Sequence, residues 1–89
     1  MRTVTIDGAY IKSISDFHKS TKRLFNFPEY YGENLDALWD CLVEVETPIT
    51  IIWKNHKLSA SHLSSDFTKI VSVFNDAQKE IEGIFVEYK

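Results

Sequence analysis

Three short stretches of strand character, at residues 4–6, 49–53 and 84–86, are separated by about forty and about thirty residues patterned for helices, and few folds accommodate that spacing. Connections so long exclude hairpins. They are what parallel strands require, because the chain must cross back over the sheet before the next strand begins, and such crossovers are almost always right-handed. Val4 and Ile6 alternate with Thr5 until Asp7-Gly8 breaks the run. Ile49-Thr50-Ile51-Ile52-Trp53, after Pro48, is almost continuously apolar, which suits a strand covered on both faces or along its edges.

The connections carry helix signals. Ser13 is a cap with a carboxylate, Asp16, three residues on. Ile14, Phe17, Leu24 and Phe25 share one face of the helix that follows, with Lys12, Lys19, Lys22 and Arg23 around it. Pro28 and Gly32 make the segment Phe27-Pro28-Glu29-Tyr30-Tyr31-Gly32 a loop. Asn34 then caps a second helix whose Leu35, Leu38, Trp39 and Leu42 recur at helical spacing. Residues 56–62 suggest one short helical turn. A last helix carries Phe67, Ile70, Val71, Phe74, Ala77 and Ile81 on one side, with Gly83 as its C-terminal stop. The expectation is an α/β fold: one domain over residues 1–89, a three-stranded parallel sheet with three to four helices packed on it.

Composition narrows the function. At 89 residues and a net charge of −3, the chain as a whole is drawn neither to nucleic acid nor to an anionic membrane. No window approaches the length of an apolar membrane span. No apolar stretch follows the opening MRTVTIDG, so no secretory signal is expected. The single cysteine, Cys41, cannot form an internal disulfide and fits a reducing, cytoplasmic setting.

The net charge hides a local imbalance. Residues 29–46 hold six acids (Glu29, Glu33, Asp36, Asp40, Glu44 and Glu46) and no Lys or Arg, whereas the rest of the chain holds seven acids and all ten bases. Asp36 stands in the first turn of its helix, where the dipole favours an anion. Asp40, four residues on, is a like-charge neighbour that weakens an isolated helix by about 0.2–0.5 kcal/mol, and Glu44 extends the stripe. Either another element neutralises the stripe, or it faces a cationic partner. Tyr30 and Tyr31 precede it in the loop and supply the aromatic area that interface cores use, unless one or both pack on the core beneath. Trp39 lies between the apolar face and the acidic stripe.

The run Pro28-Glu29-Tyr30-Tyr31-Gly32-Glu33-Asn34-Leu35-Asp36-Ala37-Leu38-Trp39-Asp40-Cys41-Leu42 closely resembles the signature of the barstar family, proteins that inhibit barnase-type ribonucleases inside the producing cell. The resemblance extends over the chain, through the Ser13-Ile14-Ser15-Asp16 helix start, the strand after Pro48 and Val73-Phe74-Asn75-Asp76-Ala77. It implies an inhibitor or immunity protein in a 1:1 complex with a basic ribonuclease or nuclease toxin, with no cofactor, metal or nucleic acid, and monomeric when free. It assigns partner contact to Tyr30, Tyr31, Gly32, Asn34, Asp36, Trp39, Asp40, Val43, Glu44 and Asp76. Asp40 matches the aspartate that fills the phosphate position, Asp36 a second carboxylate at the basic rim, and Tyr30 the aromatic that packs over the catalytic histidine. Tyr31 and Gly32 shape the loop.

Three departures stand out. A Gly and a Trp common in the family after the second helix are missing from Val43-Glu44-Val45-Glu46-Thr47, Asp76 replaces a glutamate, and no second cysteine lies near Gly83. Related chains also act as immunity proteins against other nuclease toxins. The alternative is a small α/β regulatory or scaffolding module that binds a different basic protein. Other chemistry lacks support. Asp36 and Asp40 have no evident cleft for a catalytic acid pair. His18, His56 and His62 lack metal-ligand spacing, and Cys41 has no partnering histidine in a nucleophile motif. Lys19, Lys22 and Arg23 read as a solvated helix face.

Overall fold

The computed structural model describes residues 2–89. Strands β1 (Arg2–Asp7), β2 (Ile49–Lys54) and β3 (Ile84–Tyr88) form a parallel sheet in the order β1-β2-β3. Between β1 and β2 come a 3-10 turn (Gly8–Tyr10) and helices α1 (Ile14–Phe25) and α2 (Leu35–Val43); between β2 and β3 come α3 (His56–Leu63) and α4 (Ser65–Glu80). This is the α/β architecture that the strand spacing predicts.

The apolar run of residues 49–53 is explained by its place: β2 is the central strand, bonded to a neighbour along each edge. The register sets Val4 beside Ile51 and Ile51 beside Val86. Side chains alternate across a strand, so Val4, Ile6, Ile49, Ile51, Trp53 and Ile84 share the face buried beneath the helices. The other face carries Thr3, Thr5, Phe85 and Glu87, all exposed, beside the half-buried Ile52. The sheet is therefore covered on one face and closed along the edges of its middle strand.

Phe17 from α1, Leu38 and Leu42 from α2, and Ile70 and Phe74 from α4 complete the core with no measurable exposure. Each such side chain contributes about 1.5–3 kcal/mol by leaving water. The Trp53 indole stacks on Phe17, and its Nε1–H donates to Ser59 Oγ at 3.0 Å. Ser59 in turn donates to the Gly8 carbonyl at 3.2 Å, which ties α3 to the first turn of the chain. A side chain at Gly8 would collide with the Asn55 carbonyl and with Ser59 Oγ, so this junction requires glycine.

Two local expectations are corrected. Residues 56–62 form a full helix, α3, separated from α4 by Ser64 in the left-handed region at φ 52°. Helix α4 ends at Glu80, with Ile81 extended at its cap. Gly83 lies beyond it in the turn into β3, at φ +91°, where an added Cβ would come within 2.8 Å of Thr47 Cβ. The glycine turns the chain and admits Thr47; it does not stop the helix directly.

Candidate functional site

The loop between α1 and α2 sorts two adjacent tyrosines to opposite sides. Asn26 ends α1 in the left-handed conformation, and the Tyr31 N–H donates to the Pro28 carbonyl at 2.9 Å, closing a turn with Glu29 and Tyr30 at its tip. Tyr30 is 83% exposed, whereas Tyr31 is 6% exposed. The Tyr31 hydroxyl lies 2.6 Å from His18 Nδ1 on α1, and its ring rests against Phe27 with centroids 5.0 Å apart. Burial pushes the Tyr31 phenol up to about 12, so it stays protonated. Of the two tyrosines, Tyr31 is thus a core residue that shapes the loop, and Tyr30 is the one offered to solvent.

Asn34 starts α2 by accepting from the Ala37 N–H through Oδ1 at 2.8 Å, while its Nδ2 donates to the Gly32 carbonyl at 3.3 Å. One side chain therefore caps the helix and pins the end of the loop. Along α2, Leu38 and Leu42 are buried, Trp39 and Cys41 are half-buried, and Asp36, Asp40, Val43 and Glu44 face water. Two adjoining concavities follow. One, of about 560 Å³, is lined by Tyr30, Trp39, Asp40, Cys41, Val43 and Glu44. The other, of about 330 Å³, is lined by Tyr30, Tyr31, Gly32, Asn34, Asp36, Ala37, Asp40 and Cys41. Tyr30, Asp40 and Cys41 border both. Nine of the ten residues expected at a contact surface are brought together here. Asp76 is not among them: it is exposed on α4 and lines neither concavity.

The electrostatics are one-sided. Among the described residues the ion pairs are Lys22–Glu29 at 3.4 Å and Lys89–Glu87 at 3.7 Å, and neither involves Asp36, Asp40 or Glu44. No Lys, Arg or His among the described residues pairs with the stripe. Helix α2 has no basic residue in its last turn and ends on Glu44, so its C-terminal dipole meets a charge of the wrong sign. The Cys41 thiol registers this field: burial first, then Glu44 and Asp40, push its pKa up, keeping it protonated and a poor nucleophile. Among the described residues no three His, Cys, Asp or Glu side chains converge as metal ligands. No helix among them is long and apolar enough to cross a membrane.

The contribution of His18 is the main feature that sequence reasoning missed, having weighed it only as a metal ligand. It is 2% exposed and supports the loop from below, beside Thr21, whose hydroxyl donates to the Phe17 and His18 carbonyls. The signal was present: Ile14, His18, Thr21 and Phe25 fall at i, i+4, i+7 and i+11, on the inward face of α1. Lys19 and Arg23 are exposed as expected, while Lys22 pairs with Glu29.

The fold is thus a parallel α/β sheet with helices on one face that leaves an acidic helix and a tyrosine loop open to solvent, and comparisons with known proteins identify its class. The family profile described as Barstar (barnase inhibitor) matches residues 1–89. A protein of Bacillus subtilis (strain 168) named "Putative ribonuclease inhibitor YrdF" is 41% identical over 86 residues, covering 96% of this chain and 94% of the relative. The chain belongs to the barstar family.

Proposed function

We propose that this protein is a stoichiometric inhibitor, or immunity protein, of a barnase-type ribonuclease or a related nuclease toxin, acting inside the cell as a single 1:1 partner and not as an enzyme. The observation that carries the reading is Asp40: solvent-facing, beside exposed Tyr30, with no cation among the described residues paired to it. A ribonuclease must gather Arg, Lys and His around the phosphodiester it cleaves. A carboxylate presented there accepts the same charge-assisted hydrogen bonds as the phosphate. Asp40 takes that position, Asp36 and Glu44 face the surrounding basic rim, and Tyr30 covers the catalytic side chains and excludes water. Asn34, Gly32 and Tyr31 hold the loop in register with the helix. Trp39 and Val43 supply apolar area at the margin, and Asp76, exposed on α4, adds a further carboxylate to the contact.

The magnitudes favour such an arrangement. At an effective dielectric of about 20, one carboxylate about 4 Å from a cation gains roughly 4 kcal/mol before desolvation. Preorganisation adds to this: the cap at Asn34 and the anchored Tyr31 fix the loop before any partner arrives, so little ordering is left to binding. The field of the stripe also raises association rates, by about 10–10³-fold at low salt.

The test is an inhibition titration. Purified protein added to a barnase-type ribonuclease cleaving RNA abolishes activity at one equivalent, with an association rate that falls steeply as salt rises. A ribonuclease that remains fully active at excess inhibitor, across a panel of such enzymes and nuclease toxins, would reject the reading in favour of a module for another basic protein.

A further inference from the structure

We propose that two copies of this chain pair through their charged flanks. Each lays the basic side of its α1 against the acidic stripe on α2 of the other, so the free protein covers its own carboxylates. The self-contact stands apart from the inhibitor reading; that it hides the face offered to a nuclease rests on that reading.

The loop between α1 and α2 is a ridge with a hollow on either side. On the α1 side a groove of about 460 Å³ is bordered by Lys19, Lys22, Arg23, Glu29 and Glu33. On the α2 side lie the concavities bordered by Tyr30 and Asp40. Lys22 is held by Glu29 at 3.4 Å, whereas Lys19 and Arg23 are exposed and enter no ion pair among the described residues. Glu33 offsets only part of their charge, so the groove keeps a positive surplus. Its complement, the stripe of Asp36, Asp40 and Glu44, stands across the same ridge and is equally unpaired.

The two rows match in pitch. Lys19 and Arg23 are four residues apart on α1, as Asp36, Asp40 and Glu44 are along α2, so both repeat about every 6 Å along their axes. Set antiparallel, Arg23 meets Asp36 and Lys19 meets Asp40, and the negative end of α1 lies beside the positive end of α2. Because the flanks adjoin across one loop, a two-fold axis through the ridge makes both contacts at once and the pair closes. The exposed Tyr30 rings stand near that axis and add apolar area. A second copy is favoured over an unrelated acidic partner because the chain itself carries the complement at the same repeat. The net charge of −3 opposes pairing. At physiological salt, however, its field fades within about 8 Å, a fraction of a molecule 30 × 28 × 19 Å across, so charges in contact outweigh distant ones. Exposed ion pairs are individually weak, so the dimer is reversible and a cationic nuclease face displaces it.

The decisive experiment is sedimentation velocity on the free, full-length chain, from about 10 μM to about 1 mM. No nuclease is present, so its failure is separable from failure of the inhibitor reading. At about 0.05 M salt the sedimentation coefficient is expected to rise with concentration and level off at the dimer, and at about 0.5 M salt to return to the monomer. Lys19→Glu with Arg23→Glu is expected to weaken the dimer by about tenfold or more. Lys57 and Lys69 are exposed cations on α3 and α4 that border neither flank. Lys57→Glu with Lys69→Glu gives the same net charge and is expected to weaken the dimer less than about threefold. Asp40→Lys with Glu44→Lys is monomeric alone. Mixed with Lys19→Glu/Arg23→Glu it forms a heterodimer, tighter than its mixture with Lys57→Glu/Lys69→Glu, because both charge contacts are then restored. Lys19→Gln with Arg23→Gln reads the same loss should the reversed pair fail to fold. A chain that stays monomeric at about 0.05 M salt, leaving its basic flank to an acidic partner of another kind, would overturn the proposal. So would association that grows past the dimer, equal losses in the two cation variants, or no rescue in the mixture.

Discussion

Helices α1 and α2 are neighbours in sequence and both bury side chains in the core, yet their charges are arranged on opposite principles. In α1, Asp16 occupies the first turn and Lys22 and Arg23 the last, each complementing the helix dipole, and Ser13 caps the N-terminus by accepting from the Asp16 N–H at 3.1 Å. In α2, Asp36 opens the helix, no base closes it, and Asp40 and Glu44 continue the acidic stripe towards the end where acid is unfavourable. A helix selected only for stability would resemble α1. The departures in α2 all fall on its exposed face, beside the loop that displays Tyr30, where the proposed inhibitor role would use them.

That contrast makes predictions that differ in size and in observable. The largest concern what the helices share. Phe17→Ala in α1 and Leu38→Ala in α2 each remove a fully buried side chain, and each should lower unfolding free energy by about 2–5 kcal/mol in chemical denaturation. A much smaller loss in α2 would mean that its apolar face is not the anchor described. Next comes Tyr30→Ala. Because the ring is exposed, the melting temperature should hold, while affinity for the target ribonuclease falls by about 2 kcal/mol, roughly thirtyfold, in an inhibition titration. A smaller, opposite pair isolates the dipole. Glu44→Lys should stabilise the fold by about 0.3–1 kcal/mol while slowing association with the nuclease, whereas Arg23→Glu should destabilise it by a similar amount and leave inhibition intact. If both substitutions act alike, the asymmetry between the helices has been misread.

The pH response should come chiefly from α1. The folded state holds the His18 pKa below 6.5, so the unfolded chain binds more protons as pH drops through that value. This contribution to stability is complete above about pH 6.5 and is lost as pH falls towards the folded pKa, levelling off below it. Urea midpoints measured across this range should decline in the parent and decline less in His18→Gln.

Much of this was legible in the sequence because it rests on local chemistry. The caps at Ser13 and Asn34, the breaks at Pro28 and Gly32, and the apolar run at residues 49–53 each state their structure within a few residues. The acidic imbalance was equally plain. What stayed hidden depended on partners distant in sequence. Nothing near Tyr30-Tyr31 says which ring turns inward; His18, thirteen residues earlier, decides it by offering a buried nitrogen to the second. Gly83 looks like a helix stop until Thr47 is seen packed against it. Helix α3 has weak helical signals of its own and depends on Ser59 bridging Trp53 to Gly8. Asp76, assigned by resemblance alone, has no geometric support from the two concavities.

The claim that α2 gives up internal charge balance for the sake of a cationic partner is tested most directly by Asp40→Asn, which removes one charge and almost no volume. Thermal unfolding and ribonuclease inhibition should be measured on the same preparation. Unfolding should be unchanged or slightly raised in temperature, because a repulsive neighbour of Asp36 and Glu44 has gone, while inhibition falls by tenfold or more. Undiminished inhibition, or a marked drop in the unfolding temperature, would show that this carboxylate serves the fold and not the partner.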